Sequence, residues 1–242
     1  MTDYYITEPT TTNALGQPLD FDVPDWTPRD APPHTAIEGR YCRVAPLDAD
    51  RDARELYEAV MTDANGANWT YLPYGPFATF EDYDTWLRET CLGNDPMFHT
   101  VRQNDTGKAV GIASLMRIDR NMGVIETGHI HYSPLLQRTP ASTEAMYLLM
   151  RRVFDELGYR RYEWKCNNLN AASKRAAERL GFTYEGVFRQ LGIYKGRNRD
   201  TAWFSIIDRE WPPLKVAFEA WLSPGNFDEA GNQRKSLAEI RR

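Results

Sequence analysis

The sequence predicts an α+β domain whose mixed, mostly antiparallel central sheet is flanked by helices. Two patterns predict it. Between residues 98 and 133, short apolar-alternating segments follow one another with only turn residues between them, as in an antiparallel meander. A strand–helix–strand unit then covers 124–166, and such a unit closes as a right-handed parallel crossover. One parallel pair is therefore expected within an otherwise antiparallel order.

Taken in order, residues 1–36 are poor in Leu, Ile and Val and carry Pro9, Pro18, Pro24, Pro28, Pro32 and Pro33. Such a segment builds no core of its own and reads as an extended Pro/Thr-rich arm. Phe21, Val23 and Trp26 are its candidate anchors, onto the domain or onto a second subunit in an arm-exchanged homodimer. The domain proper is expected over 37–210. Arg40 to Pro46 alternates as a first strand, and Asp48 caps a helix to about Met61 with Ala53, Leu56, Tyr57 and Val60 on one face. The aromatic loop Trp69 to Phe77 follows. Thr79 caps a second helix that aligns Tyr83, Trp86 and Leu87.

Strands are expected at Phe98–Gln103, Val110–Ile118 and Val124–Ser133, with turns at 104–108 and 121–123. A helix from Thr143 to Leu157 places Met146, Leu149, Met150 and Val153 at helical spacing and stops at Gly158. Tyr159–Cys166 is a strand. Ala171–Leu180 is a helix capped by Asn170 and ended by Gly181. Strands at Phe182–Gln190 and Thr201–Ile207 enclose the basic turn Lys195–Arg199, which reads first as a solvated hairpin tip. Residues 211–242 form a closing helix, begun at Trp211 with prolines in its first turn, and a polar tail expected to fray after Pro224.

The net charge of −5 on 242 residues argues against general nucleic-acid binding, which shows a basic surplus. Cys42, Cys91 and Cys166 are odd in number and widely spaced, so they read as free thiols and not as a disulfide or metal framework. The start, MTDYYITEPT, lacks a secretory pattern, and no apolar run reaches membrane-spanning length. A cytoplasmic protein is expected.

The segment from His131 to Ala145 carries the chemistry. A strand ends, a tight turn follows, and a long helix begins. The first amides of a helix lack partners and sit at the positive end of its dipole, which makes an anion site suited to a diphosphate. Thr139 is a good cap, Pro140 suits the first helical position and Arg138 adds a charge. An ordinary helix start has the same features.

Gln137 and the following Thr143-Glu144-Ala145 resemble the cofactor motif [R/Q]-x-x-G-x-[G/A] of the GCN5-related N-acetyltransferase (GNAT) superfamily, in its RimJ/RimL-like subgroup. Asn170-Ala-Ala-Ser173, Glu178-Arg-Leu-Gly-Phe182, Glu185-Gly186 and Arg189 are similar to that subgroup's second signature, with all spacings kept. The resemblance covers roughly 38–210. It departs where Pro140 and Ser142 replace the family's small residues; proline brings no N–H.

The resemblance implies a GNAT-like fold and transfer of an acetyl group from acetyl-CoA to a primary amine of a small molecule or a protein N-terminus. A non-catalytic acyl-CoA-binding or regulatory module of the same fold is the alternative, favoured by Pro140. It implies Glu126 as the base and Ser173 as proton donor to the leaving thiolate. It implies contacts to the cofactor from Ile130, Tyr132, Gln137, Arg138, Thr139, Ala141, Ser142, Thr143 and Asn170. Trp69, Tyr71, Tyr74 and Phe77 would wall the acceptor, or pack a loop onto the core. His129 and His131 alternate away from the Glu126 face unless a bulge re-aims one. A His-x-His metal pair has no third ligand in view and is rejected.

Overall fold

The computed structural model describes residues 11–242; the first ten residues of the predicted arm lie outside them. Two strands, β1 (Thr11–Thr12) and β2 (Pro18–Leu19), form a small separate hairpin. The main sheet holds β3 (Ile37–Glu38), β4 (Cys42–Pro46), β5 (Met97–Gln103), β6 (Ala109–Asp119), β7 (Val124–Tyr132), β8 (Arg161–Asn167), β9 (Thr183–Tyr194) and β10 (Arg197–Ile207). Their order is β3-β4-β5-β6-β7-β8-β10-β9. Every pairing is antiparallel except β7 with β8, the pair joined through α3 (Pro140–Arg151).

The helices start where the caps predict. Asp48 accepts from the amides of Asp50 and Arg51 ahead of α1 (Ala49–Val60), Thr79 from Asp82 ahead of α2 (Phe80–Thr90), and Asn170 from Ser173 ahead of α4 (Ala171–Leu180). Gly181 ends α4 in a left-handed conformation that glycine adopts freely. The long helix begins at Pro140 behind its Thr139 cap, as the capping residues predict and three residues before the apolar spacing does; after Arg151 its last turn departs from expectation and widens into a π-helical segment through Glu156.

Helices cover both faces. On one, α3, its π-helical extension and α5 (Trp211–Leu222) bury Leu148, Leu149, Val153, Phe154 and Phe218 against Val101, Leu115, Ile125, Tyr162 and Phe204. On the other, α1 and α2 bury Leu56, Tyr83, Trp86 and Leu87 against Phe98 and Ile112.

Three expectations change. The last hairpin turns at Lys195 and Gly196, so β9 and β10 extend further into the basic segment than the sequence suggests. The tail docks instead of fraying. Asn226 binds the Trp221 and Lys235 carbonyls, and α6 (Leu237–Ile240) buries Leu237 completely. Of the arm's anchors, Trp26 holds. Its indole N–H donates to the Asn121 carbonyl at 2.6 Å, and its ring sits against Gly123 with the guanidinium groups of Arg29 and Arg160 over it at 4.3 and 5.4 Å. Phe21 and Val23 are exposed.

Candidate active site

Strand β7 positions the site. It pairs with β8 from Val124↔Arg161 to Thr127↔Trp164, and there the pairing ends although both strands continue. The second half of β7 keeps β6 alone. Within that ladder Ser133 N–H donates to the Val110 carbonyl, so the alternation of antiparallel bonds turns the Tyr132 amide away from β6, toward the gap. Ile130 lies in the same half-strand. The gap leads to the 137–140 bend, where Gln137 and Arg138 are exposed and Arg138 adopts φ +62°.

The bend offers fewer donors than the sequence suggested. The Thr139 amide donates to the Leu136 carbonyl, and the Ser142 amide is shared between the Thr139 side chain and carbonyl. Pro140 has none. Among the described residues, the amides of Arg138 and Ala141 are not engaged by a neighbour outside the helix. The guanidinium of Arg138 supplies charge beside them. These donors fit an anion at a helix start. The Gln137 side chain is engaged within the protein. Its amide donates to the Tyr132 carbonyl (2.8 Å) and to Asn68 (3.0 Å), tying the bend to the loop before α2. Thr143 accepts from Arg179, and its neighbour Glu144 is buried, accepting from the amides of Arg40, Tyr41 and Cys42 to fasten β4 onto α3.

The histidines correct the sequence reading. His131 faces Ile112 and Glu126 faces Met116, and these two β6 positions lie four apart on one face. One extra residue sits in β7 between Gly128 and His131, a bulge with His129 at φ +49°. The bulge therefore puts both histidines on the Glu126 face, not one. The His129 ring stacks on Tyr74 and accepts or donates a hydrogen bond with its hydroxyl at 2.9 Å. The His131 ring packs 3.8 Å from Trp69, with both nitrogens buried and unpartnered. Burial, aided at His129 by the charges of Arg117 and Arg199, lowers both pKa values to about 4. Both are neutral near pH 7 and weakly basic.

Glu126 is buried within a run of charges. Its carboxylate meets Arg117 at 2.9 Å and Lys165 at 2.8 Å; Lys165 also meets Glu163 at 2.6 Å. Arg161 then joins Glu163 to Glu185. The Lys165 ammonium lies over the Trp203 ring. None of Arg117, Glu163 or Lys165 was singled out from the sequence. Their only advance signal was the charge of alternate residues on neighbouring strands.

The aromatic loop does two things. Trp69 is 3% exposed and packs with Phe77, so it belongs to the core and does not line an acceptor surface. Tyr71 and Tyr74 remain partly exposed; Tyr71 reaches the Leu169 carbonyl and Tyr74 reaches His129. Lys195, expected at a solvated tip, instead donates to the Trp69 carbonyl at 2.8 Å and clasps this loop to the last hairpin. Across the gap, Ser173 Oγ accepts from the Trp164 indole at 2.9 Å, which leaves its own proton to donate, and Asn170 is occupied as the cap of α4.

The sequence matches, over residues 43–183, the family model described as an acetyltransferase (GNAT) domain. A GCN5-related N-acetyltransferase from Brucella melitensis is 50% identical, with a TM-score of 0.89, over 90% of this chain and 99% of that one. A probable acetyltransferase of the GNAT family from Chromobacterium violaceum ATCC 12472 is 39% identical, with a TM-score of 0.74, over 81% and 97%. The Microcin C7 self immunity acetyltransferase MccE, in complex with acetyl-CoA and AMP, shares the fold at 20% identity and a TM-score of 0.61, over 70% and 93%. No curated protein matches. Among the described residues, no helix is long and apolar enough to cross a membrane.

Proposed function

This chain belongs to the GNAT acetyltransferase family, and from that premise we propose that it holds acetyl-CoA between the Arg138–Ala141 bend and the open half of β7 and acetylates the primary amine of a small molecule or a protein N-terminus. The observation that carries this reading is the end of β7–β8 pairing at Thr127 and Trp164, which leaves the Tyr132 amide turned toward an open gap beside the exposed Gln137–Arg138 bend. The catalytic unit in this reading is 37–210, with 1–36 as an arm and 211–242 as a closing helix and tail.

Acetyl-CoA supplies the acetyl thioester. The amides of Arg138 and Ala141 and the Arg138 guanidinium would hold its diphosphate, and the amides of Ile130 and Tyr132 its acyl end. Glu126 accepts the proton that the acceptor ammonium must lose before its nitrogen can attack. Ser173 has an O–H to give, because its oxygen already accepts from Trp164. Tyr71 and Tyr74 flank the acceptor.

Thermal unfolding with acetyl-CoA tests the reading. At a hundred times its dissociation constant, a ligand adds about 2.7 kcal/mol of stability. An unchanged Tm at saturation sinks the proposal. Pro140 and the two internally paired amides favour a binding module; clear binding with no thiol release against any amine would select it.

A further inference from the structure

Within the run of charges around Glu126, the most exposed member is Arg117. Glu126, Glu163 and Glu185 carry three negative charges against the two positive charges of Lys165 and Arg161, and Arg117 balances the remainder. Lys165 is 5% exposed and locked between two carboxylates, but the Arg117 side chain is 55% exposed. Arg117 is the removable partner of Glu126.

Its backbone is built for the position. Arg117 is the extra residue of a second bulge, between Met116↔Glu126 and Asp119↔Val124, at φ +49°. Asp95 holds it there by accepting from the amides of Arg117 and Ile118 at 2.7 and 3.0 Å. Arginine has no preference for this region, so the carboxylate pins a conformation the residue would not choose. The same side chain lines a cavity of about 640 Å³ together with Ile118, Arg120 and Asn121. The two carboxylates on that wall are already engaged, Asp95 as described and Asp119 by the Met122 amide.

We propose that the acceptor is a small amine carrying an anionic group, a carboxylate or a phosphate, a few bonds from its nitrogen, and that it binds by exchange with the Arg117–Glu126 ion pair. Its anion takes the Arg117 guanidinium and its ammonium takes the Glu126 carboxylate. The inference rests on the acetyl-transfer reading above. The exchange conserves charge on both sides, so neither buried carboxylate nor guanidinium is stranded. It also delivers the ammonium to the base: one proton passes from nitrogen to the Glu126 carboxylate and leaves a neutral amine. A planar guanidinium suits either anion through paired hydrogen bonds.

The test compares kcat/KM by thiol release for matched acceptors: an amino acid against its carboxamide, and an aminoalkyl phosphate against the amino alcohol. A preference of about tenfold or more for the anionic member of either pair is expected, the scale of one charge-assisted contact. The two pairs distinguish carboxylate from phosphate. Arg117→Asn, which tolerates the positive φ, should bring the ratio toward one, and Arg117→Lys should keep part of it. Equal rates for both members of each pair, a ratio unchanged in Arg117→Asn, or a peptide N-terminus preferred to every anionic amine would overturn the proposal. Acetyl-CoA affinity, measured on the same samples, separates the outcomes: its absence in the unaltered chain overturns the parent reading, whereas binding and turnover without anion preference overturn only this one.

Discussion

The first half of β7, Val124–Thr127, lies between β6 and β8, whereas its second half, Gly128–Tyr132, keeps β6 and leaves β8. The contrast separates two uses of one strand. Where pairing is complete, polar side chains must find partners in the interior, and Glu126 does so through Lys165 and Arg117. Where pairing stops, the backbone loses its partner on the β8 side, the Tyr132 amide turns to the gap, and the side chains are turned by the bulge at His129. The first half should therefore answer mutation through stability, and the second through binding and pH.

The strongest way to break that division is Lys165→Ala. It strands Glu126 and Glu163 with one fewer cation in a buried setting, and removal of one partner of such a pair costs about 3–5 kcal/mol. Urea unfolding should record the loss. A change below about 1 kcal/mol would mean that the run of charges is hydrated and that the first half of β7 is no more structural than the second.

Glu126→Gln is next and cuts across the division, because Glu126 is structural by burial and chemical by proposal. It should lower kcat about a hundredfold, the low end for a general base, with little change in the acetyl-CoA Kd by calorimetry. An unaltered kcat would reduce Glu126 to a partner of Lys165 and move the proton acceptor elsewhere.

Much of this was legible in the sequence, and the rest was not for identifiable reasons. Caps at Asp48, Thr79 and Asn170 act within a few residues, so their spacing shows them. The Asn170–Ser173 and Gly181-Phe182 segment likewise keeps its spacing in one helix. The Lys165–Glu126 contact joins residues 39 apart through a parallel register that no local pattern sets. The bulge at His129 follows from how β7 meets β6; alternation read along one strand allowed a bulge to re-aim one histidine, and the register of the pair re-aims both. The tail looked polar because its anchors are single residues, Asn226 and Leu237, separated by a hydrophilic stretch.

The second half of β7 makes a pH prediction. His129 and His131, with His99 on β5, titrate in the fold at about 4, chiefly through burial, against roughly 6.5 in an unfolded chain. Below 6.5 the unfolded state binds more protons than the folded one. The stability these groups allow is thus complete above about 6.5 and is lost as pH falls toward 4. Unfolding at pH 5 should be easier than at pH 7 by roughly 1–2 kcal/mol for each fully buried imidazole. His131→Phe, which keeps a ring against Trp69 and removes two orphaned nitrogens, should flatten the dependence. An unaltered slope would mean that the His131 ring protonates in place.

The smallest expected effect concerns the bend that the open half-strand faces. Pro140 sits at the first helical position, where an amide would otherwise point outward with those of Arg138 and Ala141. Pro140→Ala restores that N–H. It also relaxes the unfolded chain, which costs about 0.4–1 kcal/mol of stability in the absence of ligand. If a diphosphate rests there, the new donor should tighten acetyl-CoA binding by about 0.5–1.5 kcal/mol, a few-fold in Kd. Stability and affinity would then move in opposite directions in one variant. That divergence is the sharpest form of the contrast along β7, since a purely structural helix start would lose stability and gain nothing. Equal affinity for acetyl-CoA before and after the substitution would mean that the diphosphate is held elsewhere, and the amides beyond Gly128 would lose their assigned neighbour.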